Sequence, residues 1–193
     1  MHTALIALFN QIVPLHKEEE DLIRSSFRLK SLAKGEYFLK AGEINQHIGF
    51  INQGLVRYFV DKDDEEATFE FTKEGEFIAD YQSFSQNKTS IQNIQAIEAC
   101  TLLVINYPDV QHIFTNTPHG NLLGRIVVEH RFDVMVNQLL SIYMHDPEER
   151  YKRFVSAYAD IAQRIPQYLI ASYVGIKPES LSRMRRRFLK SIS

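Results

Sequence analysis

From about Ser31 to Asn106 the chain repeats one pattern, and that pattern narrows the fold more than any other feature of the sequence. Short runs rich in aromatic and branched residues alternate with polar ones and are broken by glycine. They are Glu36–Lys40, Ile48–Asn52, Leu55–Val60, Ala67–Phe71, Phe77–Ala79, Ile91–Ile97 and Thr101–Ile105. Leu55, Arg57 and Phe59 run in opposite phase to Val56 and Tyr58, and Ala67, Phe69 and Phe71 in opposite phase to Thr68 and Glu70, which is the period of two of a strand. Turns are expected at Gly35, Gly42, Gly54 and Gly75, and at the acidic tip Asp61-Lys62-Asp63-Asp64-Glu65-Glu66. Many short strands at a spacing of roughly ten residues predict a barrel or sandwich.

Helical spacing flanks this region. Leu5, Leu8, Phe9 and Ile12, then Leu22, Ile23 and Phe27, mark helices before it, with Glu18–Glu20 and Asp21 placed where acidic groups suit a helix start. After Pro108 the helical period returns, and Asn121–Tyr143 reads as one long helix. Val128, Phe132, Met135, Leu139 and Ile142 form a 4,3,4,3 stripe on it, widened by Leu122, Ile126, Val136, Leu140 and Tyr143. A helix apolar on more than one side needs more than one partner, so one face is expected on the β-region and the other on a second copy of the chain. At Asp146-Pro147-Glu148-Glu149 a new helix begins, with proline suited to its first turn, and is expected to run through Tyr158 toward Ile161. The expected organisation is therefore 1–117, a β-region with N-terminal helices; 118–146, a long helix; and 147–193, a helical C-terminal domain. The fold class is α+β.

Charge follows the same division. The net charge is −2, but residues 1–146 carry −8 and residues 147–193 carry +6. A basic C-terminal segment on an acidic body points to an anionic partner for that segment.

Ile165–Phe188 is the most specific passage. Counted from Gln167, Ala171 falls fifth and Gly175 ninth, while Ile170, Val174, Ile176, Leu181 and Met184 fall fourth, eighth, tenth, fifteenth and eighteenth. A helix-turn-helix needs a small fifth residue for close crossing, a ninth residue able to take positive φ, and those apolar places as its inner face. Pro178 and Glu179 suit the first turn of the second helix. Lys177, Pro178, Glu179, Ser180, Ser182, Arg183, Arg185, Arg186 and Arg187 are then left outward, joined by Gln167 on the first helix. Such a face fits a major groove, its start near base edges and its basic end near phosphates. Arg183 suits a bidentate contact to guanine, and Glu179 can accept from cytosine N4.

Together these segments resemble the Crp/Fnr family of bacterial transcription regulators over about residues 20–190. The barrel motifs are Ala41-Gly42-Glu43, Phe50–Arg57 and Gly75–Asp80, and the DNA motif is Gly175–Arg183. Gly42 and Gly54, twelve residues apart, match the cyclic-nucleotide-binding barrel. The resemblance implies a double-stranded β-helix (jelly-roll) barrel, a homodimer zipped through the long helix, and recognition helices set on a palindromic operator in double-stranded DNA. It implies RNA polymerase as a further partner, and no membrane. The base-reading places fall on Glu179 and Arg183, with a third on Pro178, which cannot donate a hydrogen bond.

The effector pocket implied by the resemblance comprises Gly75, Glu76, Phe77, Ile78, Ala79, Asp80, Ser90 and Ile91. Here the family's Gly-Glu pair falls on Ala79-Asp80, and its Arg-Ser or Arg-Thr pair on Ser90-Ile91. The arginine that would grip a cyclic phosphate is missing, with Lys88 only a displaced substitute, so the effector is expected to be some other small molecule, or none. The sequence stops at Ser193, so the wing after the recognition helix is expected to be absent or reduced. Arg185–Arg187 and Lys190 are then expected to do more of the phosphate work.

Other classes find less support. The lone Cys100 excludes a disulfide within the chain and is expected in the core; together with an N-terminus lacking a basic n-region, it predicts a reduced, cytoplasmic protein. Seven scattered histidines give no helical metal spacing, so no metal or fixed cofactor is expected. No nucleophile elbow or phosphate loop supports an enzyme. The remaining alternative is a ligand- or protein-binding sensor that has lost specific DNA reading, supported by the missing wing and the proline at a reading place.

Overall fold

The computed structural model describes residues 1–63 and 65–192, with side chains through residue 187. Asp64 of the acidic tip, the Lys190 side chain and Ser193 lie outside the described residues.

Helices α1 (Thr3–Ile12) and α2 (Lys17–Ser26) lead into β1 (Arg28–Leu32), β2 (Tyr37–Leu39), β3 (His47–Gln53), β4 (Val56–Lys62), β5 (Glu65–Thr72) and β6 (Phe77–Ile78). A short helix, α3 (Tyr81–Gln86), precedes β7 (Asn93–Ala96) and β8 (Cys100–Asn106). Then come α4 (Tyr107–Asn116), α5 (Gly120–Met144), α6 (Pro147–Ala157), α7 (Gln167–Val174) and α8 (Pro178–Ile192). The strands form two four-stranded sheets, ordered β1-β8-β3-β6 and β2-β7-β4-β5. The class is α+β, with an N-terminal β-sheet domain and a C-terminal helical region.

The expected strands all form within a few residues of their bounds, but β1 starts ahead of Ser31. Of its residues only Leu32 is buried, so no apolar alternation announces it; it is fixed by pairing with β8, from Arg28↔Val104 to Leu32↔Cys100. Helix α6 stops at Ala157 rather than running toward Ile161, because Tyr158 leaves the helix to stack with Phe154 and Tyr173 at 5.2 and 6.0 Å.

Contacts group the chain into two units, residues 1–58 with 71–133, and residues 59–70 with 134–193. In the first, Phe50, Leu103 and Ile105 of β3 and β8 pack with Leu5, Ile6 and Phe9 of α1, Ile23 of α2, Ile113 of α4 and Leu123 of α5. A Cβ on Gly124 of α5 would lie 2.4 Å from the tip of the Phe114 ring of α4, so a larger residue there requires that ring to move.

The N-terminal helices are tied to the α4–α5 connection by Glu19, which is 3% exposed. It accepts from the backbone N–H groups of His16 and His119 at 3.1 Å each, and His119 Nδ1 lies 3.0 Å from its carboxylate. Burial alone would raise this carboxyl, but the hydrogen bonds from His119 and His16 outweigh it and hold it below the usual carboxylate value.

In the second unit, the outer end of the β4–β5 hairpin meets α7. Ser172 Oγ accepts from Thr68 N–H at 2.9 Å and donates to the Glu66 carbonyl at 2.6 Å, so a side chain satisfies backbone groups of an edge strand.

Candidate nucleic-acid interface and barrel cassette

Two helices joined by a tight turn form where the spacing places them. Helix α7 ends at Gly175 with φ +77°, and the Gly175 and Ile176 N–H groups return to the carbonyls of Ser172 and Ala171 at 3.0 Å each. That is a Schellman ending, which requires a left-handed residue at the position where glycine stands. Ala171, Val174, Leu181, Ile170 and Met184 are buried with Leu169, Ile165, Ile161 and Phe154 as the core of the unit, while Ile176 is only half-buried.

Arg150 of α6 fixes the turn. Its Nε and Nη2 donate to the Val174 carbonyl at 2.9 and 2.6 Å, and its Nη1 donates to the His145 carbonyl at 2.9 Å. One guanidinium thus ties the end of α7 to the segment just past α5 by charge-assisted bonds. Tyr173, packed beside it in sequence against Phe154 and Tyr158, is raised above the usual phenol value by burial and by the charge of Glu70.

Gln167, Lys177, Pro178, Glu179, Ser182, Arg183, Arg185, Arg186 and Arg187 are exposed, and Ser180 is half-buried. The helix start rests on Ser180 and Leu181 N–H bonds to the Lys177 carbonyl, at 3.0 and 3.2 Å. Arg185 donates to the Gln167 side-chain carbonyl, joining the two helices across their outer face. Arg187 and Glu148 make a loose exposed pair at 3.8 Å, which is easily exchanged for a phosphate.

The barrel cassette is arranged differently. The turn at Gly75 pairs with β3 through Gly75 N–H to the Ile51 carbonyl at 2.9 Å and Ile51 N–H to the Glu76 carbonyl at 3.0 Å, while the Glu76 carboxylate accepts from Lys73 N–H. Phe77 stacks on Phe9 at 6.0 Å and meets Phe50 at 5.1 Å, and Ile78 is fully buried. Asp80 caps α3 by accepting from Ser83 N–H at 3.1 Å, and its own carbonyl accepts from Asn45 Nδ2 at 3.2 Å. Ala79 N–H donates to the Tyr58 hydroxyl at 3.0 Å. Ser90 Oγ closes a local turn onto Gln92, while Ile91 stands 84% exposed. Of the expected pocket residues, hydrogen bonds and strand order thus link Ala79 and Asp80 to Tyr58, Asn45 and Ser83. Gly75, Glu76 and Phe77 belong to the turn and the helix-facing core.

Residues 29–117 match the family model of the cyclic nucleotide-binding domain. In structure the chain is similar to the c-di-GMP-responsive global regulator CLP of Xanthomonas campestris, with TM-score 0.74 and 14% identity over 91% of this chain and 93% of that one. It is similar to a CooA mutant from Carboxydothermus hydrogenoformans, with TM-score 0.69 and 19% identity over 94% and 84%. A protein assigned to the Crp/Fnr family from Eubacterium rectale follows, with TM-score 0.68 and 18% identity over 95% and 87%. At these identities the likeness is one of fold. No curated protein sequence matches the chain.

Within residues 29–117, the sequence pattern does not point to Tyr58, Asn45 or Ser83. Tyr58 looked like a strand residue, and its partner Ala79 is remote in sequence. The same holds for Arg131, whose guanidinium carbon lies 5.6 Å from the centre of the Tyr58 ring. In the helical unit Arg150 went unnoticed, because its partner carbonyl is on Val174. Cys100 is buried, its thiol 3.3 Å from the Glu98 carbonyl, as a core cysteine should be. Among the described residues no group of three or more His, Cys, Asp or Glu could hold a metal, and no helix is long and apolar enough to cross a membrane.

Proposed function

We propose that this chain is a dimeric, sequence-specific DNA-binding transcription regulator of the Crp/Fnr type, and not an enzyme. Its parts are the barrel, the dimer helix and the terminal helix-turn-helix, divided near residues 117 and 146. The observation that carries the reading is α8 with the residue just before it: Lys177 at its start and Arg183, Arg185, Arg186 and Arg187 along it are exposed, and a Schellman turn joins the helix to α7. A helix so charged gains most from a phosphate backbone, and Glu179 with Arg183 stands where base edges are read.

Dimerisation rests on α5. Phe132 is 65% exposed, Met135 59%, Ile142 58% and Leu139 54%, a stripe of large apolar groups that water does not favour. A second α5 packed on it in coiled-coil fashion buries the stripe and makes the operator two-fold. The barrel's effector is not cyclic AMP in this reading, because neither Ser90 nor Ile91 supplies a cation for a cyclic phosphate.

Selection from random duplex DNA at two salt concentrations, with Arg183→Ala in parallel, tests the proposal. The expected result is a palindrome with half-sites about one helical turn apart, enriched by the native chain and relaxed at one position in the variant. Weak binding that salt abolishes, with no motif and no effect of Arg183→Ala, would refute it and favour a sensor that no longer reads DNA.

A further inference from the structure

The polar groups that a cyclic nucleotide would use are already engaged by the chain. A cyclic phosphate needs N–H donors and a cation; a base and ribose need space. The Ala79 N–H is taken by the Tyr58 hydroxyl and the Ser83 N–H by the Asp80 carboxylate, whose charge repels a phosphate. The Ser83 hydroxyl accepts from Asn45 N–H at 2.8 Å and donates to the Lys88 carbonyl at 2.5 Å. Ser90 is turned onto Gln92, with its N–H on the Glu43 carbonyl at 2.8 Å. Among the described residues no buried side-chain nitrogen or oxygen lacks a hydrogen-bond partner. Tyr58 is 1% exposed, its hydroxyl stands on the Ala79 amide, and Arg131 of α5 lies over its ring face.

We propose that Tyr58, held between the Ala79 amide and the Arg131 guanidinium, serves as a built-in occupant of the barrel, so that the barrel–α5 contact is set without a cyclic nucleotide. The proposal rests on the regulator reading above and deepens it by naming what fills the sensor. In an effector-gated barrel a bound molecule would bridge cassette and helix. Here a phenol from β4 makes both contacts: its oxygen accepts from the cassette, and its ring face attracts the cation carried by α5. Tyr58 and Arg131 act as positioning residues for α5, and neither touches DNA in this account.

The test uses the full chain. Cyclic AMP, cyclic GMP and cyclic di-GMP are titrated calorimetrically, and affinity for the selected operator is measured with and without each. The native chain should give no saturable heat up to about 1 mM, and its operator affinity should change by less than about twofold. Tyr58→Ala should weaken operator binding about tenfold or more without any added ligand, while Tyr58→Phe, which keeps the ring beneath Arg131, should lose much less. If Tyr58→Ala does not fold, Arg131→Gln takes its place, with the same expected direction and an unchanged melting temperature. Saturable binding of a cyclic nucleotide that tightens the native chain's grip on DNA would overturn the proposal. Full operator affinity in folded Tyr58→Ala or Arg131→Gln would overturn it too. If the native chain selects no operator, the regulator reading fails, and the calorimetry alone still decides whether the barrel is occupied.

Discussion

The barrel cassette and helix α8 treat their polar groups in opposite ways. Around Ala79 and Asp80, amides, hydroxyls and a carboxylate bond to one another and to Tyr58 and Asn45. Along α8, Arg183, Arg185, Arg186 and Arg187 are exposed; Arg187 makes a loose pair with Glu148, Arg183 a long bond to Ser180, and Arg185 a bond to the exposed Gln167 side chain. A donor satisfied inside the chain gains little from a ligand, since one hydrogen bond is merely exchanged for another. A cation in water beside like charges gains a great deal from a polyanion. The two regions therefore carry different expectations: in the proposed reading the open one binds, and the closed one holds shape.

The largest effect that could break this contrast comes from α8. Replacing Arg185, Arg186 and Arg187 together by alanine should lower operator affinity about a hundredfold or more and reduce the salt slope by about 2–3, with the melting temperature unchanged. An unaltered slope would mean that these groups are not the phosphate contacts. Next in size is Phe132→Glu on α5. A charge forced into the proposed helix seam should weaken self-association by about 3 kcal/mol or more, and sedimentation should show monomers. A native chain that already sediments as a monomer would remove the dimer from the account.

Stability sharpens the contrast within each unit. Phe154, which is 1% exposed and stacked on Tyr158 and Tyr173, should cost about 3–5 kcal/mol on truncation to alanine, read by denaturant unfolding. Asp80→Ala removes a helix cap and should cost about 1 kcal/mol. It should not create nucleotide binding, because Tyr58 still holds the Ala79 amide. The smallest effect concerns His47. Burial first, and then the charge of Lys30, holds its pKa below the ordinary 6.5. The unfolded chain then takes up this proton before the folded one does, so stability contributed by neutral His47 is complete above about pH 6.5 and is lost as pH falls toward the folded value. His47→Asn should flatten the stability profile over that window and leave it unchanged above pH 7.

The sequence made legible whatever depends on local pattern. Alternation placed most of the strands, the 4,3,4,3 stripe placed α5, and Gly175 with its flanking apolar residues placed the turn of the helix-turn-helix. The departure of the cassette at Ala79-Asp80 and Ser90-Ile91 remains an expectation, which the nucleotide titrations test. Contacts between residues far apart in sequence stayed hidden. Nothing around Tyr58 signals that its hydroxyl ends on Ala79, and nothing around Arg150 signals the Val174 carbonyl. β1 was missed for a related reason: its residues before Leu32 are not buried, and pairing with β8 rather than apolar burial fixes it.

The most direct measurement is hydrogen exchange on the native chain in three states: alone, with its selected operator, and with cyclic AMP. The account predicts that DNA slows exchange in α7 and α8, and that cyclic AMP leaves residues 75–92 unchanged, the Ala79 and Ser83 amides being already bonded to Tyr58 and Asp80 in the free chain. Slowed exchange across residues 75–92 on adding cyclic AMP, or unaltered exchange in α7 and α8 on adding DNA, would contradict it.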